Sequence, residues 1–250
     1  MKQVEQKIFP LINCDMGEGM PHDAQLMKLI DLANISCGYH AGDKETIRQT
    51  IERALKYNVK IGAHPSYPDR KNFGRREMDL STVQVHELVM EQLEIIKQLT
   101  EDQGATIYHV KPHGALYNAS AKNAAIAAAI SKAVFQFDPA LILVGLSASH
   151  SIGQAKQTGL PFMNEVFADR RYHANGSLVS RTVAGATIEN EEECLQQVSQ
   201  IQAGQKIISI EGFHVPVVAE TICIHGDSPN ALVFAQAIHS FKKRFYNVTK

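Results

Sequence analysis

The chain has 250 residues, 44% of them apolar, and a formal net charge of −1, so it can bury a large core and carries no global field that would draw it to nucleic acid or an anionic membrane. No window reaches the roughly 18 apolar residues of a membrane span, and the start MKQVEQKIFPLINCD is too charged for a signal peptide. Cys14, Cys37, Cys194 and Cys223 lie far apart with no C-x-x-C pair, which reads as reduced thiols and a cytoplasmic setting.

In chain order, short apolar runs predict strands at Lys7–Asn13, Ala33–Cys37, Lys60–Ala63, Thr106–Val110, Ala140–Val144, Met163–Phe167 and Thr221–Ile224. Lys206–Ile210 is ambiguous. Between the strands, helical spacing marks Lys44–Tyr57, Ser81–Gln103, Asn123–Phe137 and Glu189–Ala203. In Ser81–Gln103 the apolar face is Val85, Leu88, Val89, Leu93, Ile96 and Leu99; Ser81 is a candidate N-cap without an acidic partner three residues on. This alternation implies a mostly parallel sheet covered by helices. About seven strand–helix units without a linker favour a (β/α) barrel of about seven strands as one domain over residues 1–250, with an open doubly wound sheet as the alternative. Asp169–Arg181 reads as a loop that could carry a small excursion.

The chemistry gathers where the strands end. The first exit is NCDMGEG (Asn13 to Gly19), with Asp15 and Glu18; the second, SCGYHAGD, offers His40 and Asp43. GAHPSYPDR carries His64 and Arg70, HVKPHG carries His109, Lys111 and His113, EVFADR carries Glu165, Asp169 and Arg170, and CIHGD carries His225. Parallel strands point their C-terminal ends the same way, so these exits converge on the face where barrel active sites form. A single histidine at a strand end is more often structural, but five of the eleven lie at or just after such ends.

Asp15, His40 and His64 could hold Zn²⁺ or another divalent ion, or act as an acid–base set with Asp15 orienting a histidine; no short H-E-x-x-H spacing decides between them. Lys111 reads as a desolvated amine paired with a carboxylate or an anionic ligand, against the plainer reading of a lysine snorkelling to the rim. Cys14, Cys37 and Cys223 fall on strands and read as buried small hydrophobes, not nucleophiles, because nucleophilic use needs a thiolate-stabilising partner. The nucleotide motifs G-x-x-x-x-G-K-[ST] and G-x-G-x-x-G are both missing from the sequence.

Taken in order, NCDMGEG, ANISCGYHAGD, GAHPSYPDR with NFGRR, HVKPHGALYN, DPALILVGL, EVFADRRYHANGSLVSR and CIHGDSPNA resemble the lactam-utilisation family of 5-oxoprolinase A subunits over nearly the whole chain. The resemblance implies an irregular barrel similar to glycoside hydrolases and deacetylases. It also implies a subunit, acting with partner subunits B and C, of an enzyme that opens 5-oxo-L-proline to L-glutamate with ATP as co-substrate. In that setting Asp15, His40, His64, Lys111 and His113 are the candidate catalytic residues. His64 or His113 would activate water, Asp15 would orient the base, and Lys111 or an arginine would steady the developing oxyanion or phosphate. Asn13, Arg70, Glu165, Asp169, Arg170 and His225 are the candidate substrate-binding residues, with Arg70 on the substrate carboxylate. Two other functions stay open: a stand-alone metal-dependent amidohydrolase or deacetylase, and a non-catalytic binding subunit.

Overall fold

Seven parallel strands close into a barrel in the computed structural model, which describes residues 8–248. β1 (Leu11–Met16), β2 (Leu32–Ser36), β3 (Lys60–His64), β4 (His109–Val110), β5 (Ile142–Leu146) and β6 (Phe162–Phe167) follow one another around the barrel. β7 (Ile207–Ile208) and β8 (His214–Val215) form a separate antiparallel pair, and β9 (Thr221–Ile224) closes the barrel between β6 and β1. The helices are α1 (Asp23–Leu26), α2 (Lys44–Lys56), α3 (Thr82–Glu101), α4 (Gly114–Lys122), α5 (Ala124–Phe137), α6 (His150–Thr158), α7 (Glu191–Gln202) and α8 (Ala231–Val248). Closure rules out the open doubly wound alternative. The ambiguous Lys206–Ile210 stretch supplies β7, outside the barrel.

Helix ends and faces follow their local chemistry. The Asp43 carboxylate accepts from Thr46 N at 2.8 Å to start α2. At α3 the capping box lacks an acid because Gln84 takes its place: Ser81 Oγ accepts from Gln84 N, and Gln84 Oε1 accepts from Ser81 N at 2.9 Å. The six apolar positions expected on α3 are all buried. Each contributes about 1.5–3 kcal/mol of transfer free energy, so packing outweighs a cap worth about 1 kcal/mol.

β1 starts later than the apolar run suggested. Lys7, at the head of the expected strand, lies outside the described residues. Ile8 is 79% exposed, and Phe9 leaves the sheet to pack edge-on against Phe241 and at a tilt against Phe245 of α8. Pro10 has no amide proton for the ladder, which begins at Leu11, whose N–H reaches Glu220 O at 2.9 Å.

The inside of the barrel departs from the usual branched-aliphatic filling. Ile12, Cys14, Met16, Ala33 and Ile35 pack into the apolar core, while their alternates Asn13, Asp15 and Asn34 join a buried polar network. Gly62 leaves room for it: a Cβ there would lie 2.1 Å from Nε2 of His109. Gly114, at the start of α4, has φ +54°, and a Cβ would meet the Gly74 carbonyl at 2.6 Å. Between β6 and β9 the chain makes the expected excursion, with bridges Arg170–Thr187 and Tyr172–Leu178 ahead of α7.

Candidate functional site

The floor of the mouth is built around Lys111. Its Nζ lies 3.0 Å from Asp15 Oδ1, 2.9 Å from Glu165 Oε1, 3.2 Å from Asn13 Oδ1 and 3.1 Å from Cys223 Sγ. Burial disfavours the ammonium, but Asp15, Cys223 and Glu165 outweigh it and raise its pKa well above the ordinary lysine value. Asp15 mirrors this. Burial raises its pKa, yet His64 and Lys111 hold the carboxyl well below the usual carboxylate range. Beneath them Asn34 donates to Asn13 Oδ1 and Asp15 Oδ1 at 2.8 Å each, and Asn13 donates to Glu165 Oε1 and Thr221 Oγ1. His109 Nε2 donates to Asn34 Oδ1 at 2.7 Å; burial and Lys111 lower its pKa to about 3, so it is a neutral support under the floor. Cys223 faces Lys111, but burial pushes its thiol far up, which disqualifies it as a nucleophile.

One wall is made of histidines. His40, His64 and His113 come from the exits of β2, β3 and β4, and Glu18 folds back from the exit of β1 through Gly17 and Gly19, both at positive φ. His40 and His113 stack with ring centroids 3.8 Å apart, and His64 meets His113 edge-on. His64 Nδ1 donates to Lys111 O at 2.6 Å and His113 Nε2 donates to Phe73 O at 2.9 Å. Phe73 presents that carbonyl from a left-handed backbone, φ 55°. Burial, then His64, drives the pKa of His40 down to about 2 and that of His113 well below the usual histidine value. Burial and Asp15 push Glu18 well above the usual carboxylate range.

The rim is cationic. Asp169, on the exit of β6, holds His225 Nδ1 at 2.9 Å and also accepts from its backbone N–H. Arg170 is buried against Val179 O, and burial followed by Arg181 lowers its pKa to about 10. Arg75 and Arg181 both approach Asp227, and Arg75 lies over the Phe73 ring. Arg75, Arg170, Arg181 and His225 line a cavity of about 640 Å³ that also touches Asp15, His64, Lys111, His113 and Phe167.

The fold thus brings Asn13, Asp15, His40, His64, Lys111, His113, Glu165, Asp169, Arg170 and His225 to one mouth. Arg70 stands apart. It is exposed, and its guanidinium clamps the carbonyls of Gly38 and Gly42, away from the cavity lining. Asn34, Arg75, Arg181 and Asp227 were not among the expected site residues. Glu18 was read only as an acid after the first strand. The available signal for Asn34 was an amide inside an otherwise apolar strand, and for Asp227 its place in CIHGD.

These features define a parallel (β/α) barrel with a charged, largely buried site at the C-terminal mouth of its strands. Residues 11–247 match the LamB/YcsF family, and the chain belongs to it. The chain is similar to the lactam utilization protein from Thermus thermophilus, with 33% identity, coverage of 95% of this chain and 97% of that one, and a TM-score of 0.87. A protein from Enterococcus faecalis named for cellobiose-phosphate cleavage superposes over 96% of this chain and 94% of its own, at 11% identity and a TM-score of 0.55, and shares the fold alone.

Proposed function

We propose that this chain is the lactam-binding, ring-opening subunit of an ATP-dependent 5-oxoprolinase, working with subunits B and C. The observation that supports this reading most is the 33% identity to a lactam utilization protein over 95% of the chain. The reaction consumes 5-oxo-L-proline, ATP and two waters and yields L-glutamate, ADP and phosphate. A five-membered lactam is an unreactive amide whose ring closes readily, so its opening needs an outside drive. Transfer of the γ-phosphoryl group to the lactam oxygen makes the ring carbon an imidate-like electrophile. Water adds there, the C–N bond breaks, and the ring nitrogen takes a proton to become the amino group of glutamate. The remaining acyl phosphate is cleaved by the second water.

The site suits the water-addition step. Asp15 lines the cavity, stays anionic, and is fixed through Oδ1 by Asn34 and Lys111. It is therefore the group we assign to take the proton from water and pass it to the ring nitrogen. His64 and His113 fit that task less well, because their free ring nitrogens face each other at 2.9 Å. The ammonium of Lys111 is saturated by its four neighbours, which makes it a positioning residue for Asp15. Arg75, Arg170 and Arg181 offer guanidinium groups for the substrate carboxylate and the phosphoryl group. The sequence carries no phosphate-cradling loop of its own, which fits nucleotide contacts supplied by B and C.

Asp15→Asn in the complex reconstituted with B and C tests the assignment. Release of glutamate and ADP should fall by about 10²–10⁴-fold, the usual worth of a general base, with assembly on size exclusion unchanged. Turnover near wild type would remove Asp15 from the chemistry. Release of glutamate from 5-oxoproline by the isolated chain without ATP would overturn the coupling and favour a stand-alone hydrolase.

A further inference from the structure

We propose that Glu18, His40, His64 and His113 form a binding centre for one divalent transition-metal ion of the Zn²⁺ type, set into the wall of the cavity. The inference is independent of the lactam reading, since it rests on where the protons of three imidazoles must lie. A backbone carbonyl can only accept, so His64 Nδ1, bonded to Lys111 O, and His113 Nε2, bonded to Phe73 O, both carry hydrogen. At His40 the hydroxyl of Ser66 donates to Tyr67 O, so it accepts from His40 Nδ1 at 2.9 Å. That leaves His40 Nε2, His64 Nε2 and His113 Nδ1 as the ring nitrogens able to give a lone pair to a cation.

These three nitrogens face Glu18, and His64 Nε2 also lies 3.3 Å from Asp15 Oδ1. Glu18 Oε1 lies 2.9 Å from His40 Nε2, 3.6 Å from His113 Nδ1 and 4.0 Å from His64 Nε2. His64 Nε2 and His113 Nδ1 face each other at 2.9 Å. Both far nitrogens already carry hydrogen, so only one positive centre, a proton or a metal ion, fits between this pair. The donor atoms all lie within 4.8 Å of one another. Tetrahedral ligands held about 2.0–2.1 Å from zinc stand roughly 3.3 Å apart, so small side-chain adjustments complete the set. The hydrogen bonds on the far ring nitrogens are the supports that metal-binding histidines ordinarily have, and imidazole donors suit zinc and its neighbours better than magnesium or calcium.

A second cluster at the mouth, Asp15, Cys223 and His225, also has ligand-type atoms in range. It already holds a cation. The Lys111 ammonium lies 3.0 Å from Asp15 and 3.1 Å from Cys223, where a metal would have to displace it. Neither Lys111 nor any arginine makes an ion pair with Glu18 among the described residues, so the histidine wall is the better host.

The test uses the full chain freed of metal by dialysis against a chelator, then titrated with Zn²⁺ in competition with a chromophoric chelator. Binding of about one equivalent, with Co²⁺ giving the intense visible bands of a four-coordinate ion, is the expected result. Glu18→Gln and His113→Ala should each weaken Zn²⁺ by at least roughly 100-fold, while His225→Gln and Cys223→Ser change it by less than about threefold. Should His113→Ala fail to fold, judged by circular dichroism, the wild-type stoichiometry and the Glu18→Gln titration still decide. Absence of saturable binding to the wild type overturns the proposal. So does binding lost in His225→Gln or Cys223→Ser but kept in Glu18→Gln.

Discussion

Replacing Lys111 with methionine tests the electrostatic logic of the floor. The substitution keeps much of the side-chain volume and removes the one cation shared by Asp15 and Glu165, whose carboxylates lie 3.0 and 2.9 Å from Nζ. Both are buried, Glu165 completely, so neither can recover the lost partner from water. Removing one member of a buried pair costs about 3–5 kcal/mol. In a chain of this size each kcal/mol lowers the melting midpoint by about 2–4 °C, which gives a fall of about 6–20 °C at neutral pH. The pH dependence has a definite sign. In the variant Asp15 loses one of the two cations that hold its carboxyl low, so its folded pKa rises. The Asp15 part of the deficit is therefore full above that raised value and shrinks as pH falls through it. Differential scanning calorimetry at several pH values measures both features. Lys111→Met/Glu165→Gln should regain part of the loss, since one of the stranded charges is gone. A single variant melting within about 2 °C of wild type at neutral pH would refute the reasoning.

Two further stability predictions follow from local geometry. Gly62→Ala should destabilise the fold by at least about 1–3 kcal/mol, because the new methyl group would collide with a His109 ring that Asn34 holds in place; chemical denaturation measures it, and an unchanged midpoint would mean the ring is free to move. Asp23 is buried with one carboxylate oxygen unpartnered, and burial raises its pKa to about 6. A raised folded pKa makes the protonated form the better folded one, so its contribution declines as pH rises from about 4 through 6, by on the order of 2–3 kcal/mol. Asp23→Asn should remove that decline, and parallel pH–stability curves for variant and wild type would count against it.

Much of the fold was legible because periodicity is a local property. The 3.6-residue face of α3 and the short apolar runs of β2, β3, β6 and β9 stand in the sequence nearly as they stand in the barrel. What failed was anything decided by partners far along the chain. Ile8 and Phe9 look like strand, but Phe9 belongs to α8, more than 200 residues away. β5 begins at Ile142, two residues later than the apolar run, because its ladder is set by β4 and β6. At the site, the convergence of strand exits was readable from parallel topology alone. The destination of each side chain was not. Arg70 and Arg75 sit in one basic loop, yet the first clamps two carbonyls and the second reaches the rim beside Asp227. Glu18 joins the histidines only because the two flanking glycines turn it back under them.

Asp15 ties the two halves of the mouth together. Its Oδ1 is 3.0 Å from the Lys111 ammonium and 3.3 Å from His64 Nε2, so one carboxylate oxygen borders both the charged floor and the histidine wall. The backbone makes the same link, since the carbonyl of Lys111 fixes the His64 tautomer. A group placed this way cannot be altered without disturbing both neighbours. The sensitivity of the two halves should therefore differ in kind. Changes at Glu18 reach Asp15 through His64 and through the repulsion between the two carboxyls, whereas changes at Lys111 remove a hydrogen-bonded partner and strand Glu165 as well. The polar interior follows from the same requirement. An aliphatic filling would give a more conventional core, but it would leave Asp15 without the Asn34 and Lys111 contacts that hold it in place.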